Sequence, residues 1–132
     1  MQGKVFFNEL MGLGSPMAGA GEDDLFILDC LKEKLNCMYI PLVLSFHAGG
    51  TTGISSGGQT KVVFARGILN RIYHPYSFPI KYILVARSIN INHKVSFWTT
   101  LITLFRGGIY AKRNKMLKYK VKEIFNKNNG YS

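Results

Sequence analysis

A glycine-rich stretch that ends in a cluster of acidic residues constrains the fold of this chain most strongly. Residues 8–21 contain four glycines and Pro16, which is the composition of a loop. Four of the seven carboxylates of the chain then fall within residues 21–29. Acidic side chains in a first helical turn are favoured by the helix dipole. Apolar residues continue at helical spacing, so the sequence predicts a long ordered loop followed by a helix over residues 22–35.

The apolar run that follows this helix predicts a β-strand. Residues 37–47 are rich in β-branched and aromatic side chains, and Pro41 interrupts them. A proline cannot donate a hydrogen bond to a sheet, so the strand is expected to be at an edge, bulged or broken. Residues 48–60 are rich in Gly, Ser and Thr and predict a loop. Together these elements predict an α/β fold for the first part of the chain.

The second half of the chain has the periodicity of amphipathic basic helices. Apolar residues repeat at helical spacing over 62–72, 80–89 and 97–109, and a basic helix or tail is expected over 112–127. Prolines at 75 and 79 separate the first two segments. We therefore expect a helical, basic C-terminal extension over residues 61–132.

The charge of the chain is divided unevenly between its two halves. Residues 1–60 hold three Lys or Arg and six Asp or Glu, whereas residues 61–132 hold fourteen Lys or Arg and one glutamate, Glu123. A basic half of this kind indicates an anionic partner. Residues 97–127 carry a run of basic side chains with aromatic side chains nearby, and they are compatible with a solvated face, an anionic membrane surface or nucleic acid.

The sequence contains neither an apolar signal-peptide core nor a run of about 20 apolar residues that could span a bilayer. Cys30 and Cys37 are too few for a disulfide framework, so reduced thiols are expected. These features predict a cytoplasmic protein, and the basic residues 97–127 are compatible with a peripheral position on the inner face of the cell membrane.

Five segments, in this order, resemble the C-terminal half of a family 2 glycosyltransferase of the GT-A fold, of the bacterial type that builds surface polysaccharides. The resemblance covers about residues 5–110. The segments are Asn8-Glu9-Leu10-Met11-Gly12-Leu13-Gly14, Gly21-Glu22-Asp23, Tyr39-Ile40-Pro41, His47 and Phe64-Ala65-Arg66-Gly67-Ile68-Leu69.

The resemblance implies an inverting transfer of a sugar from a nucleoside-diphosphate donor to a glycan or a lipid-linked acceptor. It makes Asp23 the general base and Glu22 the residue that orients the acceptor, since a sugar hydroxyl is a poor nucleophile until a carboxylate takes its proton. Gly12 and Gly14 would shape the acceptor-side loop. The resemblance also implies a divalent ion, Mn²⁺ or Mg²⁺, on the donor diphosphate. The implied metal ligand is His47, and Arg66 is expected to contact the diphosphate.

The donor-binding part that such an enzyme needs is not encoded in these 132 residues. The only aspartates are at 23, 24 and 29, so the chain has no Asp-x-Asp motif. We therefore expect residues 1–60 to be the catalytic, acceptor-side part of a truncated GT-A domain, inactive by itself. The alternative hypothesis is a small basic nucleic-acid-binding module.

Overall fold

The computed structural model describes residues 5–6, 8–12, 15–35, 38, 40–42 and 59–118. Four α-helices and a short 3₁₀ helix make up the regular structure of these residues. The helices predicted over 22–35, 62–72, 80–89 and 97–109 are confirmed, with their ends shifted by a few residues, whereas the basic helix or tail expected over 112–127 lies outside the described residues beyond position 118. They are α1 (Glu22–Lys32), α2 (Thr60–Tyr73), α3 (Phe78–His93) and α4 (Phe97–Arg113), followed by the 3₁₀ helix Met116–Lys118.

The predicted α/β fold, as the C-terminal part of a GT-A domain, is wrong for the part of the chain that the structure describes. No strand or sheet occurs among these residues. The prediction depended on residues 37–47, of which Met38, Ile40, Pro41 and Leu42 are described, without regular structure and exposed. A strand is stabilised by its partner strands and by burial of one face, and these four residues have neither in the described structure. The rest of that run lies outside the described residues.

Helix α1 ends earlier than its apolar periodicity predicts. Its buried face is formed by Leu25, Leu28 and Cys30. After Lys32 the backbone turns away because Lys34 adopts a left-handed conformation with φ of 59°. The amide of Leu35 then donates to the carbonyl oxygen of Cys30 at 2.9 Å and closes the helix end. Leu35 is therefore exposed beyond the helix rather than packed on its apolar face.

Helices α2 and α4 pack against each other with their backbones in direct contact. Gly67 of α2 lies against the backbone of Leu104, and Gly107 of α4 lies against the carbonyl oxygen of Phe64. A β-carbon at either glycine would overlap that neighbouring backbone. The two glycines are therefore required by the close approach of the two helices.

Helix α3 is attached to this pair by Tyr82. Its side chain is completely buried, and its hydroxyl donates a 2.7 Å hydrogen bond to the carbonyl oxygen of Gly67. The Tyr82 ring also packs edge-to-face on Phe78 and Phe105, and its hydroxyl leaves room only for glycine at position 108. Burial raises the pKa of Tyr82 well above its usual value, so the phenol stays a hydrogen-bond donor at neutral pH.

Tyr82 belongs to one apolar cluster, which it forms with Val63, Ala86, Ile89 and Leu104. A second apolar cluster joins the loop before α1, and α1 itself, to α2 and α4. Its buried members come from the loop, from α1, from α2, from the C-terminal end of α4 and from the 3₁₀ helix that follows it. They are Met11, Ala18, Leu25, Leu28, Phe64, Ala65, Ile68, Ile72, Ala111 and Met116. Residues on both sides of the predicted boundary at 60 and 61 thus contribute to one core. Within the described residues, no helix is both long enough and apolar enough to cross a bilayer.

Candidate functional site at the start of α1

The described part of the loop before α1 is held in place by its own polar groups. The side-chain amide oxygen of Asn8 accepts from the amide of Leu10 at 2.9 Å, and the Asn8 carbonyl oxygen accepts from the amide of Met11 at 3.1 Å. A further backbone hydrogen bond joins Gly12 to Ala18, since the Gly12 amide donates to the Ala18 carbonyl oxygen at 2.8 Å. The predicted loop is therefore confirmed as irregular, and it is internally hydrogen-bonded.

Ser15 connects the two sides of this loop. Its buried hydroxyl donates to the carbonyl oxygen of Leu10 at 3.0 Å and accepts from the amide of Ala18 at 3.2 Å. Lys61, in the first turn of α2, donates from its ammonium to the Ser15 carbonyl oxygen at 3.3 Å. The Lys61 carbonyl oxygen in turn accepts from the amide of Gly19 at 3.3 Å. The loop is thereby fixed to α2 as well as to α1.

Glycines bring the loop into contact with the acidic start of α1. Gly12 has φ of 105°, and a β-carbon there would lie 2.7 Å from the carboxyl carbon of Glu22. The Glu22 carboxylate therefore covers the α-carbon of Gly12. Gly21, with φ of 90°, takes the chain into the helix while the side chains of Met11 and Leu69 pack on it. Because residues other than glycine rarely adopt such φ values, both turns depend on glycine.

The two aspartates that follow Glu22 have different surroundings. Asp23 is exposed to solvent in the first turn of α1. Asp24 accepts a 3.4 Å hydrogen bond from the hydroxyl of Tyr73, which lies at the end of α2. Burial, and then the charge of Asp24, raise the pKa of Tyr73 to about 12, so this phenol donates at neutral pH. Asp24 thus attaches α1 to α2, and Asp23 is presented to solvent.

The structure places four of the six site residues predicted from the sequence. Gly12, Glu22 and Asp23 meet at the junction between the loop and α1. Arg66 is half-buried on α2, one helical turn before Leu69, and its carbonyl oxygen accepts from the side-chain amide of Asn70. Leu69 contacts Gly21, so Arg66 lies on the side of α2 that carries this junction.

The remaining two site residues, Gly14 and His47, lie outside the described residues. Among the residues that the structure does describe, no group of three or more His, Cys, Asp or Glu side chains could hold a metal ion. Because the implied ligand His47 is not among these residues, the divalent-metal site that the resemblance implies stays a prediction.

Sequence reasoning missed a basic hollow between α2, α3 and α4. The Arg71 guanidinium stacks over the ring of Phe78, 3.8 Å from its centroid, and donates to the carbonyl oxygen of Pro75 at 3.2 Å. Phe105, Ile109 and Lys112 of α4 complete a hollow of about 140 Å³. Its residues are separated by up to about forty positions in the chain, so no local pattern indicates that they meet.

Comparison with protein-family models, with curated proteins and with solved structures gave no match to this chain. The resemblance to family 2 glycosyltransferases therefore depends on the short segments quoted above.

Replacing Gly12 with alanine is expected to lower the free energy of unfolding by about 1–2 kcal/mol, because alanine is strained at φ of 105°. The new methyl group would also displace the Glu22 carboxylate. Urea denaturation measures the loss. Gly19→Ala is the matched control, since its φ lies outside the positive range and its β-carbon would come closest to the Lys61 side chain, at 3.1 Å. Equal losses in the two variants would contradict this description of the junction.

Proposed function

We propose that residues 8–24 form the acceptor-side, base-bearing part of an inverting glycosyltransferase that acts in cell-surface polysaccharide synthesis. The observation that carries the proposal is the exposure of Asp23 at a junction whose other members are fixed. Glu22 is held on Gly12, Asp24 is bonded to Tyr73, and the loop is tied to Lys61. A general base needs access to its substrate, which the exposure of Asp23 provides, and these contacts fix the chain on both sides of it.

In the proposed reaction, a carboxylate oxygen of Asp23 takes the proton of an acceptor hydroxyl. The hydroxyl oxygen forms its bond to the anomeric carbon of the donor sugar as the bond to the nucleoside diphosphate breaks. Attack from the side opposite the leaving group inverts the anomeric centre. The Glu22 carboxylate accepts a hydrogen bond from a second acceptor hydroxyl. This bond orients the sugar and lowers the entropic cost of reaching the reactive geometry.

The donor would be bound by a polypeptide outside these 132 residues. No Asp-x-Asp motif occurs in the chain, so a divalent ion on the donor diphosphate would be held by that other polypeptide together with His47, the ligand that the resemblance implies for this chain. When bound, such an ion would neutralise the leaving diphosphate. This division of the site is the reason to expect no sugar transfer by the chain alone.

Binding of nucleic acid is the second candidate, and one observation favours it. Residues 59–118 contain eleven Lys or Arg and no Asp or Glu. However, the outward faces of α3 and α4 carry, besides the aromatic Trp98 and Phe105, six exposed isoleucine or leucine side chains between these cations. Nucleic-acid interfaces use cations and stacking aromatic rings rather than exposed isoleucines. The first candidate therefore stands as our conclusion.

The 132-residue chain should bind oligosaccharides at the junction even without a donor. With ¹⁵N-labelled protein and an oligosaccharide panel from bacterial surface polysaccharides, we expect amide shifts in residues 8–24 for at least one panel member. Asp23→Asn should weaken that binding about tenfold, since a hydrogen bond to a charged group is replaced by a neutral one.

The matched control is Glu33→Gln, which removes one exposed negative charge at the other end of α1. It should leave the affinity unchanged. If no oligosaccharide shifts residues 8–24, or if the two variants weaken binding equally, Asp23 does not contact the acceptor and the proposal is wrong.

A further inference from the structure

Helices α3 and α4 are apolar on the side that faces solvent as well as on the side that faces the core. On α3 the buried side is formed by Tyr82, Ala86 and Ile89. The exposed apolar residues of the two helices recur three, four or seven positions apart, so on each helix they form a stripe turned away from its buried side. The stripe of α3 comprises Ile80, Ile83, Leu84 and Ile91, and that of α4 comprises Trp98, Ile102, Phe105 and Ile109.

Exposed apolar stripes of this length indicate a contact surface. The helices already satisfy their own core, because Leu104 and Ala111 of α4 are completely buried on the opposite side. Folding of the described residues therefore does not account for the stripes. A second apolar surface that covered them would remove them from water.

The charge around the stripes distinguishes between the possible covering surfaces. All eleven charged side chains in residues 59–118 are cationic. Arg87 falls between Leu84 and Ile91 on α3, and Arg106 falls between the last two residues of the α4 stripe. A second copy of the chain would bring like charges together across the stripes, which opposes association. An anionic bilayer offers apolar depth together with negative headgroups.

The basic hollow adjoins the stripe of α4. Phe105 and Ile109 belong both to the stripe and to the hollow, where Arg71 and Lys112 provide two cations. Arg71 is held by its stacking on Phe78, so its charge has a fixed position. A phosphate between two cations, with its apolar part along Phe105 and Ile109, matches a lipid headgroup and its acyl chain.

We propose that the α3–α4 hairpin binds the surface of an anionic lipid bilayer, with both apolar stripes in the interface and a lipid phosphate in the Arg71–Lys112 hollow. The helices lie along the membrane surface and do not cross it. This proposal is independent of the proposed sugar transfer, since it uses none of the residues at the start of α1.

Trp98 provides a direct probe because it is the only tryptophan of the chain and lies in the α4 stripe, 69% exposed. We expect its fluorescence to shift to shorter wavelength when vesicles of phosphatidylglycerol and phosphatidylcholine are added, and brominated lipid chains should quench it. Vesicles of phosphatidylcholine alone should bind at least about tenfold more weakly, and added salt should weaken binding to the anionic vesicles. An unchanged Trp98 spectrum with anionic vesicles would overturn the proposal.

Ile102→Glu tests the stripe, and Ile27→Glu is its matched control. The two isoleucines are similarly exposed, at 58% and 52%, but Ile27 lies on α1. Ile102→Glu should weaken vesicle binding at least about tenfold, because it removes an inserted apolar side chain and adds a negative charge. Ile27→Glu should change it by less than about threefold, and equal losses would show that the α3–α4 hairpin is not the binding surface.

Lys112→Gln tests the hollow against Lys32→Gln, which removes an exposed cation from α1. The first variant should weaken vesicle binding several-fold more than the second, and equal losses would overturn the assigned phosphate site.

Inorganic phosphate, compared with sodium chloride at equal ionic strength, should leave vesicle binding unchanged. Release of the protein by inorganic phosphate would show that the hollow binds free phosphate rather than lipid.

Two further measurements have outcomes that would overturn the proposal. If the protein binds a single-stranded oligonucleotide with submicromolar affinity and does not bind anionic vesicles, its cations serve nucleic acid. If it sediments as a dimer that Ile102→Glu converts to a monomer, with no vesicle binding, the stripes bind a second copy. The proposal predicts a monomer without vesicles and vesicle binding that exceeds oligonucleotide binding.

Discussion

Gly107→Ala is expected to lower the free energy of unfolding by about 3 kcal/mol or more, which is a large part of the stability of a small domain. The new methyl group would overlap the carbonyl oxygen of Phe64, and it would also lie 3.2 Å from the α-carbon of Gly67. Both neighbours are backbone atoms, so no rotamer change can relieve the overlap. Helices α2 and α4 must therefore move apart, and the apolar clusters on either side of their contact lose packing.

The sign of the change in the free energy of unfolding shows whether Gly107 is packed against backbone or is an ordinary exposed glycine of a helix. At an exposed helix position, alanine is more favourable than glycine by about 1 kcal/mol. Thr99→Ala, at an exposed position of the same helix, should therefore leave stability unchanged or raise it slightly. Thermal and urea unfolding, followed by circular dichroism, measure both variants. A Gly107→Ala protein as stable as the wild type would contradict the contact between the two helices.

Gly67→Ala provides an internal consistency check on the same contact. Its β-carbon would overlap the backbone of Leu104, on the opposite side of the α2–α4 interface. Once one substitution has separated the helices, the second costs less. The double variant should therefore lose less stability than the sum of the two single variants.

The helices of this chain could be predicted from local sequence, but their packing could not. Apolar residues at helical spacing located α2, α3 and α4, because an amphipathic period is a property of neighbouring residues. The need for glycine at 67 and 107 arises from a contact between segments forty residues apart. A single sequence does not show such a contact.

The predicted sheet failed for a related reason. Residues 37–47 have the composition of a strand, but a strand requires partners elsewhere in the chain. The later apolar segments are helical, and in the described part of the chain they pack on one another and on the loop. Strand composition around Pro41 was therefore not enough to predict a sheet.

The acidic junction was the most predictable part of the candidate site. Glycines followed by acidic residues define a loop and a helix start locally, and the structure adds the contact between Gly12 and Glu22. The different surroundings of Asp23 and Asp24 depend on Tyr73, which is forty-nine residues from Asp24. The hollow at Arg71 likewise requires three helices to be assembled first.

Asp23→Asn is expected to have the largest effect on function. Asparagine has nearly the shape of aspartate but cannot accept the proton of the acceptor hydroxyl. Loss of a general base costs about 10²- to 10⁴-fold in rate. Since the substitution is exposed and lies outside the apolar clusters, the variant should fold as the wild type does. Its circular dichroism spectrum checks this.

The most direct test of the proposed function is sugar transfer by this chain joined to a donor-binding polypeptide that carries an Asp-x-Asp motif. The rate of transfer from a nucleoside-diphosphate sugar to an oligosaccharide that binds residues 8–24 would be measured for the wild type, for Asp23→Asn and for Glu33→Gln. The account predicts transfer with inversion, a loss of about 10²- to 10⁴-fold in Asp23→Asn and an unchanged rate in Glu33→Gln. Equal rates in the wild type and Asp23→Asn would contradict it.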